Sequence, residues 1–210
     1  NKPAIKYGDR SYTYQEFSDR VNKLAGALKS QGLKRGEKVG FLVPNIPEML
    51  EGHFAPLKIG AVLVAINIRL SGREISYILN HSEAKILVFD SEYGDIIEKI
   101  KPELKNIKCF VQIVDTEPEN TNIESIEYEQ FLLSSSEGEH SISLESEEDA
   151  VTINYTSGTT GMPKGVQYSS RGAYISALGN VIESGMSSKT NYLWTLPMFH
   201  CNGWCYPWAV

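Results

Sequence analysis

Four apolar runs limit how this chain can fold: KVGFLV at 38–43, AVLVAIN at 61–67, AKILVFD at 84–90 and IKCFVQIVD at 107–115. They are continuous runs rather than strict alternations, so the strands they form need cover on both faces. The segments between them have helical period. Thr13 and Glu16 stand at capping-box spacing. Phe17, Val21, Leu24, Ala25 and Leu28 then recur along one helical face, and Gly32 suits the stop. Residues 46–60 read as a helix that Pro56 should kink or shorten. Ser71 and Glu74 form a second capping pair ahead of ISYILNH, and 91–101 reads as helix. Buried strands separated by helices predict an α/β fold, a largely parallel sheet with helices on both faces.

The second half is less uniform. Residues 115–150 hold 12 of the 26 acidic residues and no lysine or arginine, which leaves 20 basic against 14 acidic residues elsewhere. The acidic, serine-rich stretch at about 116–149 reads as a solvated connecting segment with one short helix around 126–133. Beyond it, AVTINYT (150–156) reads as a strand, 171–185 as a helix, and NYLWTLPMFH (191–200) as a strand running into a loop. The chain opens without an initiator methionine or an apolar signal region and ends inside the apolar run WCYPWAV, so a longer reading frame is expected.

Composition removes several classes of function. The basic residues form no stripe, which argues against a nucleic-acid partner. No apolar run approaches the roughly 18–20 residues of a membrane helix. Three cysteines, Cys109, Cys201 and Cys205, build no disulfide framework, and a reducing, cytoplasmic setting is the simplest expectation. HCNGWC offers His200, Cys201 and Cys205 as metal ligands, but a fourth is missing and the spacing is a weak one. Thiols packed into an apolar wall are the better reading.

The stretch YTSGTTGMPKGV (155–166) follows a predicted strand, at the sheet edge where open α/β folds bind ligands. Gly158, Gly161 and Gly165 let successive N–H groups converge on an anion. Thr156, Ser157, Thr159 and Thr160 add hydroxyl donors, and Lys164 a positive charge. Together they suit a polyphosphate. The lysine follows proline and precedes glycine, so this is not the G-x-x-x-x-G-K-[ST] loop. Taken alone, such a cluster reads first as a flexible surface turn.

The whole string resembles the phosphate-loop signature of the adenylate-forming (AMP-binding) superfamily. LPMFHCNGW (196–204) resembles the next family motif in its fatty acyl-CoA synthetase version, and the likeness extends more loosely to the N-terminal YTYQEF and GLKRGEKVGFLVPN. The resemblance implies that residues 1–210 form the N-terminal part of the AMP-binding domain, with the C-terminal domain and later motifs lying beyond Val210. The chain by itself is then expected to be inactive. It further implies an acid–thiol ligase. ATP activates a fatty carboxylic acid of medium or long chain as acyl-adenylate, and coenzyme A takes the acyl group. Mg²⁺ is implied with ATP, its acidic ligand lying outside this chain. By position, Thr156, Ser157, Gly158, Thr159, Thr160, Gly161 and Lys164 cradle the β- and γ-phosphates.

His200 matches a histidine beside the substrate carboxylate and α-phosphate. Without the motif it would read as a structural histidine. Amino-acid-activating relatives carry aspartate there, and its absence disfavours a substrate ammonium. Trp204 matches a tryptophan that gates the acyl tunnel in long-chain relatives. Trp194, Phe199, Tyr206 and Trp208 suit an acyl pocket or a core equally well. An aryl-acid ligase of the same superfamily and a non-catalytic nucleotide- or acyl-binding module are the alternatives, and a homodimer is left open.

Overall fold

A computed structural model describes residues 2–115, 123–135, 138–143, 145–156 and 162–210. A short hairpin, β1 (Pro3–Tyr7) and β2 (Arg10–Thr13), precedes α1 (Tyr14–Ser30). The chain then alternates through β3 (Lys38–Leu42), α2 (Pro47–Lys58), β4 (Val62–Ala65), α3 (Gly72–His81), β5 (Ile86–Asp90), α4 (Gly94–Ile100) and β6 (Cys109–Ile113). It continues with β7 (Ile126–Glu127), α5 (Tyr128–Leu133), β8 (Ala150–Thr156), β9 (Lys164–Ser169) and α6 (Ser170–Glu183).

Seven strands make one sheet in the order β7-β6-β5-β3-β4-β8-β9. Every neighbouring pair is parallel except β8 and β9, which run antiparallel. The apolar runs put alternate side chains on opposite faces, as strand geometry requires. Val39, Phe41, Leu63, Ile86 and Val88 join the core under α1, α2 and α5. Leu42, Val64, Leu87 and Phe89 join the core under α3 and α4. Both faces are covered, as the continuous runs require. Helix α2 lies close on the sheet because Gly52 is bare: a Cβ there would stand 2.5 Å from the Phe41 ring.

Both capping boxes form. The Glu16 N–H donates to Thr13 Oγ1 (3.2 Å) and the Thr13 N–H to Glu16 Oε2 (2.7 Å). Ser71 and Glu74 repeat the arrangement at the start of α3. Each box satisfies two of the N–H groups that a helix start leaves orphaned. Pro56 shortens its helix: α2 takes it into the last turn and stops at Lys58.

Two expectations are corrected. The acidic stretch is not wholly a solvated connector. Residues 126–127 add a strand to the sheet edge, and α5 seals the core with Tyr128, Phe131 and Leu132, each at most 2% exposed. The short helix expected around 126–133 is present as α5, and of its apolar side chains Tyr128, Phe131 and Leu132 are buried while Leu133 faces water. Second, 191–200 forms no strand. Asn45 takes up the backbone groups that a ladder would use, its Nδ2 donating to the Leu196 carbonyl (2.7 Å) and its Oδ1 accepting from the Met198 N–H (2.9 Å). Pro197 between them has no N–H to give.

A buried polar cluster ties the three helices of one face. Arg20 of α1 pairs with Glu51 of α2 (2.5 Å) and Glu129 of α5 (2.7 Å), and the Tyr128 hydroxyl donates to Glu51 (2.5 Å). Glu51 is fully buried. Burial outweighs the pull of Arg20, and the Glu51 carboxyl is pushed up to about 7. On Arg20 burial works the other way but is overcome by the two carboxylates, which hold the guanidinium charged.

Candidate active site

Strand β8 carries the first two residues of the phosphate motif, Tyr155 and Thr156. Thr152, Asn154 and Thr156 alternate with Val151, Ile153 and Tyr155, so the three polar side chains share one face. In the antiparallel pairing Thr156 lies opposite Lys164, Asn154 opposite Val166 and Thr152 opposite Tyr168. Direct cross-strand partners share a face. Thr156 and Lys164 therefore stand together at the mouth of the β8–β9 connection. Both are exposed, and no carboxylate pairs with Lys164 among the described residues. Ser157, Gly158, Thr159, Thr160 and Gly161 lie outside the described residues.

The second motif sits on the same face. Residues 201–205 form one turn of left-handed helix: Cys201, Asn202, Gly203, Trp204 and Cys205 have φ of 50°, 50°, 54°, 56° and 63°. Such backbone costs an L-residue about 1–2 kcal/mol at each position. Only Asn202 and Gly203 belong to the types that tolerate it well. Gly203 is needed twice over, since a Cβ there would stand 2.7 Å from the Trp194 ring.

Buried hydrogen bonds hold the turn to β8. Thr152 Oγ1 donates to Asn202 Oδ1 (3.0 Å), Asn202 Nδ2 donates to Asn154 Oδ1, and Asn154 Nδ2 donates to the Phe199 carbonyl (3.2 Å). All three polar side chains are at most 5% exposed. Tyr168, from the neighbouring strand, touches Cys201. Burial first, and then the two nearby thiols, push its hydroxyl up to about 12, so it stays protonated.

His200 is the residue before this turn, with an extended backbone and an exposed side chain. Its Nδ1 lies 4.0 Å from Cys201 Sγ. Phe199 is 7% exposed and joins the main core beside Met198, whereas Trp204 is 61% exposed. The two residues matched to the acyl side thus separate: Phe199 is wall, Trp204 is surface. Trp194 donates through Nε1 to the Leu196 carbonyl, Tyr192 stacks on Tyr206 at 5.1 Å, and Trp208 Nε1 donates to the His53 carbonyl (3.0 Å).

Among the described residues, no three His, Cys, Asp or Glu side chains stand together as a cation site.

Sequence reading passed over Asn45, Thr152, Asn154, Asn202 and Tyr168. The available signals were two polar residues at period two inside the apolar run AVTINYT, and an Asn-Gly pair after His200.

The chain is similar in sequence and fold to known proteins. The chain is 38% identical to an acetate/butyrate–CoA ligase of Arabidopsis thaliana, named as peroxisomal, and 38% identical to a 4-hydroxybutyrate–CoA ligase of Metallosphaera sedula. Each match covers all of this chain and 39% of the relative. Among solved structures, an anthranilate CoA ligase holding anthranoyl-AMP superposes with a TM-score of 0.80 at 28% identity. A long-chain-fatty-acid-CoA ligase of Archaeoglobus fulgidus superposes with a TM-score of 0.82 at 25% identity. Both cover 100% of this chain and 40% of their own. The chain thus spans about two-fifths of the length of these relatives. No helix among the described residues is long and apolar enough to cross a membrane. The AMP-binding enzyme family matches residues 1–210, and the chain belongs to it.

Proposed function

We propose that this chain supplies the phosphate grip and part of the acid site of an AMP-forming acyl-CoA ligase. The observation that carries the reading is the shared face of β8 and β9: Thr156 and Lys164 open the phosphate connection, and the turn beginning at His200 is bonded to the same strand. One surface thus brings a polyphosphate and a carboxylate together.

The chemistry follows from those groups. A carboxylate is a poor acyl donor because hydroxide is a poor leaving group, and esterification to AMP removes that obstacle. The attack on the α-phosphate gathers negative charge on phosphate oxygens. Positioned donors and cations act most strongly where charge develops. Lys164 with the Thr156 hydroxyl, and Ser157, Gly158, Thr159, Thr160 and Gly161 by family position, offset that charge on the pyrophosphate side. His200 orients the attacking carboxylate or offsets charge at the α-phosphate. ATP is bound first and coenzyme A accepts the acyl group second.

The substrate is an apolar carboxylic acid. His200 stands where a carboxylate would pair a substrate ammonium, and an unpaired buried ammonium would cost several kcal/mol. The exposed Trp204 indole at the end of the turn supports a fatty acid of medium or long chain. Relatives named for acetate, butyrate and 4-hydroxybutyrate favour a short one, and those named for benzoate and anthranilate support an aryl acid as the second reading. Cytoplasmic residence rests on cysteine usage, and several relatives' names instead give the peroxisome.

A panel of short, medium and long alkyl acids and aryl acids, given to the full-length protein and read by ATP-dependent pyrophosphate release, decides among them. Alkyl acids are expected to turn over faster than benzoate, and the reverse order establishes the aryl reading. Pyrophosphate release from no acid overturns the ligase proposal itself.

A further inference from the structure

We infer that Asn202 is a positioning residue for the adenylation step, acting through His200. This inference rests on the reading of His200 given above. Asn202 is wholly buried, and its side-chain amide is used at both ends. Its oxygen accepts from Thr152 and its nitrogen donates to Asn154. Asn154 in turn donates to the carbonyl of Phe199, the residue before His200. The His200 backbone is therefore flanked by two anchors to one strand, at Phe199 and at Asn202.

That strand is the one that leads into the phosphate connection. Thr152, Asn154 and Thr156 occupy successive positions on a single face. A shift of β8 relative to the turn would move His200 against Thr156 and Lys164. The amide chain sets that register. It links the group facing the carboxylate to the groups facing the pyrophosphate without touching either ligand.

The left-handed backbone makes the anchor necessary. Five consecutive residues at φ between 50° and 63° hold a conformation that the unanchored chain would leave. Asparagine suits this place for two reasons. It tolerates left-handed backbone better than other side chains of its size, and its amide both donates and accepts. Aspartate keeps the acceptor and loses the donor. Glycine keeps the backbone and loses both bonds. Asn202→Gly is for that reason the informative substitution.

The test is a cycle of four full-length proteins: native, Asn202→Gly, His200→Ala and the double variant. Each is assayed for ATP–pyrophosphate exchange at saturating acid, and separately for thioester formation from supplied acyl-adenylate. Asn202→Gly is expected to lower the exchange kcat by about 100-fold, the loss that misplacement by an ångström can cause. KM for ATP should stay within about threefold, because the phosphate contacts themselves remain. In the His200→Ala background the same substitution should cost little more, since the group it positions is already gone.

An equal loss in both backgrounds overturns the inference and leaves His200 in its role. Normal exchange by His200→Ala alone overturns the reading of His200 and the inference with it. Should Asn202→Gly fail to fold, Thr152→Val removes one hydrogen bond at nearly constant shape. It should give a smaller loss with the same dependence on His200, and a loss independent of His200 overturns the inference.

Discussion

Replacing Lys164 with alanine in the full-length protein is expected to lower kcat/KM for adenylation by roughly 10²–10³-fold, the scale on which enzymes lose one preorganised charge-stabilising donor. Lys164 begins β9 directly opposite Thr156, is exposed, and has no carboxylate partner among the described residues, so its charge is free for a ligand. In the proposed reaction that ligand carries most charge on the leaving pyrophosphate. Thioester formation begins after pyrophosphate has left, so the second half-reaction from supplied acyl-adenylate should fall far less. Lys164→Arg should recover only part of the loss, because a planar fork does not replace a compact ammonium on a flexible stem. Measuring the two half-reactions separately decides the matter. Equal slowing of both would remove the phosphate role and leave Lys164 as a strand residue.

The parallel sheet and its two helical layers were legible because burial on both faces leaves a mark in composition: KVGFLV and AKILVFD have almost no polar position to spare. The capping boxes were legible because Thr13–Glu16 and Ser71–Glu74 each need only local spacing. Helix α5 was legible as a short helix, but its burial in the core was not. Three core side chains sit among acidic neighbours that face water, so the average charge of the segment pointed to a solvated helix rather than a buried one. The failed strand at 191–200 has another cause. Its residues favour a strand, but Asn45, about 150 positions away, claims its backbone. Within the site, the phosphate motif and His200 were legible as an ordered string. The pairing of Thr156 with Lys164 and the left-handed turn were not, because both depend on chain reversals that no periodicity encodes. Asn202 beside Gly203 did carry a local signal for left-handed backbone.

Replacing Arg20 with methionine is expected to destabilise the protein by about 3–5 kcal/mol at pH 7.5, the usual cost of stranding one member of a buried ion pair. Arg20 is the cation facing Glu51, which is fully buried and whose other polar contact is the Tyr128 hydroxyl. The pH dependence separates a stranded charge from lost packing. Burial raises the Glu51 carboxyl from 4.5 to about 7 even with Arg20 present. Between those values the folded protein keeps a proton that the unfolded chain releases, so stability falls as pH rises through that window. Without Arg20 the carboxyl rises further, and the fall extends above pH 7. The deficit of Arg20→Met, followed by urea unfolding, should therefore be smaller at pH 5 by about 1 kcal/mol, because there Glu51 is protonated in both folded proteins. Adding Glu51→Gln to Arg20→Met should relieve much of the loss at pH 7.5, because a neutral amide can still accept from Tyr128. A deficit unchanged between pH 5 and 7.5, and unrelieved by Glu51→Gln, would assign Arg20 to packing between α1, α2 and α5 rather than to charge.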